Sequence, residues 1–227
     1  MKENYEFPFK YKLPNRMPII IRVDGRAFHT LTRDCAKPFD GIIESLMQEV
    51  AMGLCKELEH AKIAYSQSDE VSILLINYEK LETEPMFNNE VQKLVSISAS
   101  VATQYSEGYF KKPLQFDSRV FVVPPFEVNN YFVWRQRDWE RNSLMMVARS
   151  VYSQKELHNK KREQIHDLLK AKDINWNNLE TYHKRGICVI KNDKNEWIID
   201  KEIPMFSKNK LYINKFVPEI VVDLQSL

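Results

Sequence analysis

Apolar residues in the first half of the chain switch between two periods. Residues 18–23, Pro-Ile-Ile-Ile-Arg-Val, form a nearly continuous β-branched run that ends at Asp24-Gly25. Such a run between turn signals is the pattern of a buried strand. From about Gly41 to Glu59, the apolar positions Ile43, Leu46, Met47, Val50, Leu54 and Leu58 recur three and four residues apart. That spacing gathers them on one face of a helix. Residues 63–66 and 71–77 return to strand pattern, with Gln67-Ser68-Asp69-Glu70 as a hairpin-like turn between them. A second helix is expected from Glu90 to Tyr109, where Ser96, Ser98, Ala99, Ser100 and Ala102 permit close packing on a sheet. Residues 116–123 form a fourth strand, stopped by Pro124-Pro125.

The resulting order, β-α-β-β-α-β, is that of a ferredoxin-like α+β fold, with both helices on one face of an antiparallel sheet. From Glu127 the chain reads as mostly helical through Arg162–Lys172, with short strands near Gly186–Ile190 and Trp197–Ile199. The expected organisation is a core over 1–135 and a mostly helical C-terminal region over 136–227 packed on it, with no flexible linker between them.

Composition removes several classes. Only five glycines are present, and none falls in a Walker-type or dinucleotide-type loop. Cys35, Cys55 and Cys188 are odd in number and form no CxxC pair, so neither a disulfide framework nor a zinc site is indicated and a reducing cytoplasm is expected. The N-terminus lacks the apolar stretch of a signal peptide, and no run of about 18 apolar residues suggests a membrane span. A net charge of +2 confines any RNA contact to local patches. Candidates are residues 158–162, 183–185 and 208–210.

Asp24 ends the first strand and Asp69-Glu70 occupy the turn between the next two. An acid at such a place is commonly a turn residue. In the split-βαβ order, however, Asp24 and Asp69 come to face each other near one edge of the sheet. Two carboxylates at one site repel unless a cation lies between them, and hard oxygen ligands suit magnesium. Two ions about 3.5–4 Å apart can activate a hydroxyl and stabilise a leaving pyrophosphate. Gly25 lets the backbone through Arg26, Ala27, Phe28 and His29 approach a ligand, and successive amides there can hold a triphosphate. Lys37 and Lys93 are cations that could add to phosphate binding.

Five strings occur in order: 21–28 (IRVDGRAF), 37–40 (KPFD), 66–72 (SQSDEVS), 116–120 (FDSRV) and 134–136 (WRQ). Together they resemble tRNA-histidine guanylyltransferase and its relatives, the guanylyltransferase-like 3′→5′ polymerases, over roughly residues 16–190. The resemblance implies a core like the palm of DNA polymerases. It makes Asp24 and Asp69, with the Gly25 carbonyl, ligands of two magnesium ions, and Glu70 a further acid needed for activity. It gives the triphosphate to residues 25–29 and Ser68, and places Lys37, Asp40, Lys93, Asp117, Ser118 and Arg119 near the nucleotide or the 5′ end. Arg135 and Gln136 match a motif associated with tRNA handling, and Lys184 and Arg185 are further RNA candidates.

One departure matters. Where eukaryotic histidine-tRNA enzymes carry His-Ile-Asn-Asn-Leu-Tyr-Asn, this chain has residues 140–146, Glu-Arg-Asn-Ser-Leu-Met-Met, keeping only Asn142 and Leu144. The loss points to templated repair of 5′-truncated tRNA, with ATP activating a 5′-monophosphate and GTP or other nucleoside triphosphates as substrates. The alternative is addition of G at position −1 of histidine tRNA. The implied assembly is a cytoplasmic homotetramer. A non-catalytic ferredoxin-like RNA binder fits less well, because its strands would end in aromatics rather than aspartates. A cyclase-like palm lacks its expected turn.

Overall fold

The computed structural model describes residues 1–80 and 82–218; the last nine residues of the expected C-terminal region, 219–227, lie outside them. In chain order the core runs β1 (Ile19–Gly25), the single turn α1 (Phe28–Leu31), α2 (Gly41–Glu57), β2 (Ala61–Gln67), β3 (Glu70–Leu75), α3 (Val91–Tyr105) and β4 (Phe116–Val122). The C-terminal part adds α4 (Val128–Arg149), α5 (Gln154–Leu157), α6 (Arg162–Lys170), α7 (Thr181–Arg185), β5 (Ile187–Lys191), β6 (Trp197–Asp200) and α8 (Leu211–Asn214).

The strands form one sheet in the order β4-β1-β3-β2-β5-β6, with every neighbouring pair antiparallel. The first four strands have the ferredoxin-like arrangement expected. Both faces are buried, which is why β1 reads as a continuous apolar run rather than an alternating one. Ile19, Ile21 and Val23 pack with Leu46, Val50 and Leu54 of α2 and Leu94 and Val101 of α3. Ile20 joins Ile63, Tyr65 and Leu74 beneath Val128 and Phe132 of α4. A third cluster packs Leu144 and Val147 of α4 against Leu157, Ile165, Leu169 and Trp176.

The division placed at residue 135 falls inside α4, so the two regions share one helix. The short strands expected near 186–190 and 197–199 occur as β5 and β6, and they do more than the sequence indicated: β5 pairs with β2 and β6 extends the same sheet. Gly186 makes that join possible: its φ is +79°, and a Cβ there would stand 2.6 Å from the Ser66 carbonyl oxygen. The element ends shift by a few residues, and the turn between β2 and β3 tightens to Ser68-Asp69, since Gln67 and Glu70 are themselves paired.

The two core helices approach closely where Gly53 of α2 meets α3; a Cβ at Gly53 would lie 2.2 Å from the Tyr105 ring. Alanine is the better helix former by about 1 kcal/mol, but the overlap costs about 1–3 kcal/mol. Gly53→Ala is therefore expected to lower the free energy of urea unfolding by roughly 1 kcal/mol; an equal or higher midpoint would refute the close contact.

Candidate active site

At the end of the two central strands, the antiparallel register sets Asp24 directly opposite Glu70 of β3 and opposite Asp117 of β4. Directly paired residues share a face, so three carboxylates stand side by side on the face covered by α4. Asp69 joins them from the turn, where Ser68 takes a φ of +50° and the Gly25 amide donates to the Asp69 carbonyl at 2.9 Å. The expected meeting of Asp24 and Asp69 thus occurs, but at strand ends in the middle of the sheet rather than at its edge, because β4 flanks β1 and the β2-β5-β6 half flanks β3.

Burial first, and then the charges of Asp69, Glu70 and Asp117, push the Asp24 carboxyl up to about 6. Burial also raises Asp69. Glu70 is different. Both of its oxygens accept from Arg135, from Nε and Nη2 at 2.7 Å each, and both side chains are buried. Arg135 also donates to Asp138 at 3.1 Å. Glu70 is therefore a clamped acid and not a free one, and Arg135 spends its Nε and Nη2 on Glu70 and Asp138. Gln136 is likewise consumed: its amide nitrogen donates to the Pro204 carbonyl at 3.0 Å and its oxygen accepts from the Phe206 amide at 2.9 Å. Arg135 and Gln136, expected from a motif associated with tRNA handling, are buried here and tie α4 to β3 and to the C-terminal segment.

Beside the acids opens a cavity of about 500 Å³ bordered by Phe28, His29, Ser68 and Asp69, by Phe39 and His183, and by Trp139 and Asn142 of α4. That volume suits a small-molecule ligand. At its acidic end the chain turns sharply. Ala27 adopts φ +57°, and a Cβ on Gly25 would lie 2.2 Å from the Phe28 ring, so only glycine lets that ring close under the turn. The amides of Ala27, Phe28 and His29 take no backbone partner among the described residues. At the other end the Phe39 and His183 rings stack at 4.1 Å and 5°, and His183 meets Glu44 at 2.8 Å.

Other expected residues divide. Lys37 lines the cavity with its ammonium donating to the Thr32 carbonyl at 2.8 Å. Asp40 lines it too, but its carboxylate is the cap of α2, accepting from the Ala36 amide at 2.7 Å and the Ile42 amide at 2.8 Å. The Ala36 bond above all holds its carboxyl below the usual range, so it orders the wall rather than offering a free ligand. Arg26 points away from the cavity and donates to Gln115 at 2.7 Å. Ser118 contacts Ser98 of α3 at 2.7 Å, on the opposite face of the sheet from Asp24, whereas Asp117 and Arg119 share the face of Asp24. Lys93 sits in the first turn of α3 and is not among the residues lining the cavity; its ammonium lies 6.0 Å from the Phe87 ring. Lys184 and Arg185 donate to the carbonyls of Asn177 and Ile203. Phe39 lies in the 37–40 string and His183 in the 183–185 patch, but neither is expected from the sequence as a cavity wall, and Trp139 carries no signal; only the fold brings the three together.

A palm-like antiparallel sheet, an acidic strand end and an adjoining ligand-sized cavity define a nucleotidyl-transfer class of fold. The family model described as "Thg1: tRNAHis guanylyltransferase" matches residues 1–124, and the chain belongs to this family of nucleotidyltransferases. It is 30% identical over 214 residues to a probable tRNA(His) guanylyltransferase of Dictyostelium discoideum, covering 82% of each chain. A bacterial tRNA(His) guanylyltransferase (Thg1)-like protein solved in complex with ATP superposes with a TM-score of 0.92 at 42% identity, covering 95% of this chain and 96% of that one. A GTP complex of a bacterial Thg1-like protein gives a TM-score of 0.80 at 41% identity, with the same coverage of both chains.

A carboxyl held above its unfolded value disfavours the ionised folded state, so its cost appears as pH rises from about 4 to about 6. Asp24→Asn is expected to stabilise the metal-free protein at pH 7.5 by on the order of 1 kcal/mol, after allowance for partial solvent screening. The gain should vanish below pH 4 in denaturant titrations; a pH-independent effect would contradict it. Arg135→Met leaves Glu70 buried without its partner and should cost about 3–5 kcal/mol, with Glu70→Met added to it recovering most of the loss.

Proposed function

We propose that this protein adds nucleotides in the 3′→5′ direction to the 5′ end of a tRNA, with a template strand selecting each one. The observation that carries the reading is the pairing of two unclamped carboxylates, Asp24 and Asp69, with a cavity of about 500 Å³ whose acidic end carries free backbone amides. Amides of this kind bind phosphate oxygens. The family relatives solved with ATP and with GTP support a nucleoside triphosphate as the occupant.

The donor set fits magnesium. Burial disfavours ionisation of both Asp24 and Asp69, and the charge of Asp69 adds to that at Asp24; a divalent cation would relieve this, and Gly25 stands beside them with its amide donating to the Asp69 carbonyl. Two carboxylates and a backbone carbonyl suit an ion that keeps water and takes phosphate ligands. Bound magnesium would neutralise phosphate charge and acidify an attacking hydroxyl. The chain's own part is positional. Arg135 withholds Glu70 from the site, Phe28 props the amide turn, and Asp40 fixes the wall that bears Lys37.

Template direction is supported by residues 140–146. Asn142 borders the cavity, but Glu140, at the position of the family's histidine, is buried with its carboxylate 3.8 Å from Arg162. The second reading, addition of G at position −1 of histidine tRNA, is favoured by the names of the curated relatives. Incubation with magnesium, labelled nucleoside triphosphates and two substrates separates them: a 5′-truncated tRNA and a full-length histidine tRNA. Templated growth on the first, abolished (more than about 1,000-fold lower) in Asp24→Ala and Asp69→Ala, is the expected result. G addition to the second alone would select the other reading, and full activity in either variant would remove the carboxylate pair.

A further inference from the structure

Trp134 of α4 stands half in solvent, 52% exposed, on the same side of the sheet as Asp24. It is braced rather than loose. The Arg135 and Arg22 guanidinium carbons lie 4.6 and 5.8 Å from its ring centre, and Tyr131 meets it edge-on at 5.8 Å. In the β1–β4 register Arg22 is directly opposite Arg119. Like charges opposed across strands are destabilising, and Arg22 has no carboxylate partner among the described residues. Among the described residues Arg119 pairs with Asp117 alone, at 3.5 Å. One rung further along the same ladder, two residues or roughly 7 Å away, Asp24 faces Asp117. The exposed ridge of α4 continues from Trp134 to Arg137 and Arg141, of which Arg141 pairs with Asp138.

An exposed aromatic ring braced by guanidinium groups and set beside two opposed arginines, of which Arg22 has no carboxylate partner among the described residues, is the chemistry that binds a nucleic-acid strand. Bases stack on the ring whatever their identity, and phosphates answer the cations. The surroundings of Trp134 are cationic rather than apolar, which disfavours a protein partner. We propose that Trp134 is a stacking platform for a nucleobase at the 5′ end of the RNA, with the Arg22–Arg119 pair supplying the positive charge beside it. The one-rung offset then delivers the neighbouring phosphate to Asp24. The inference rests on the nucleotidyl-transfer reading and adds the seat of the second substrate to it.

Filter binding of a labelled tRNA transcript, without nucleotide or magnesium, tests the platform separately from the chemistry. Trp134→Leu should weaken binding about 10- to 100-fold, while Trp134→Phe stays within about 3-fold, because any aromatic ring stacks. The slope of log affinity against log salt should not change in Trp134→Leu, since stacking releases no counterions, and calorimetric GTP binding should match the wild type. Wild-type tRNA affinity in Trp134→Leu overturns the proposal. So does a loss that follows dissociation of an oligomer in sedimentation, which would make Trp134 a contact between copies. Trp134-dependent tRNA binding in a wild-type protein that extends no 5′ end would uphold the platform and overturn the transfer reading.

Discussion

Like-charge repulsion at the end of one sheet is the constraint around which this molecule is arranged. Antiparallel register forces Asp24, Glu70 and Asp117 onto one face, and the β2–β3 turn adds Asp69. Four acids so close cannot all be ionised without compensation. The protein answers with one internal cation: Arg135, carried on α4, takes both oxygens of Glu70. Asp117 remains exposed to water beside Arg119. What is left uncompensated is Asp24 with Asp69, and that residual repulsion is what a divalent cation and a triphosphate can exploit.

This arrangement explains why α4 is buried on the sheet rather than packed at its periphery. The helix supplies the apolar cover for the second face through Val128 and Phe132, the counter-charge through Arg135, and the cavity wall through Trp139 and Asn142. Its lower half then anchors α5 and α6. Catalytic geometry, core packing and the attachment of the C-terminal region are therefore linked through a single element. A buried ion pair is weak evidence for stability, since desolvation offsets most of its attraction. Here its value lies in deciding which acids stay free.

The cavity has the polarity of a nucleoside triphosphate. Free amides and a propped glycine turn occupy the acidic end, and the stacked Phe39–His183 pair forms the opposite wall. Asp40 and Lys37, both bound to backbone groups, give that wall its shape. The family relatives solved with ATP and GTP share this fold over almost their whole length, so the chain's departures at residues 140–146 are changes on a conserved frame rather than signs of a different one.

The sequence by itself determined the strand and helix order, because apolar period is a local property, and it singled out Asp24 and Asp69 as acids that would meet, because turn acids at strand ends are visible in the chain. It also carried the family motifs. It did not separate free groups from consumed ones. Glu70, Arg135, Gln136, Asp40 and Ser118 stand in motif strings like Asp24, yet each has its polar atoms committed to partners that lie up to 70 residues away, or on the opposite face. Lys93 shows the same limit: the resemblance that names it says nothing of where α3 packs, and its ammonium stands by the Phe87 ring rather than in the cavity lining. Hydrogen-bond partnership and distance depend on register and packing between remote segments, and those were decided only by the tertiary structure.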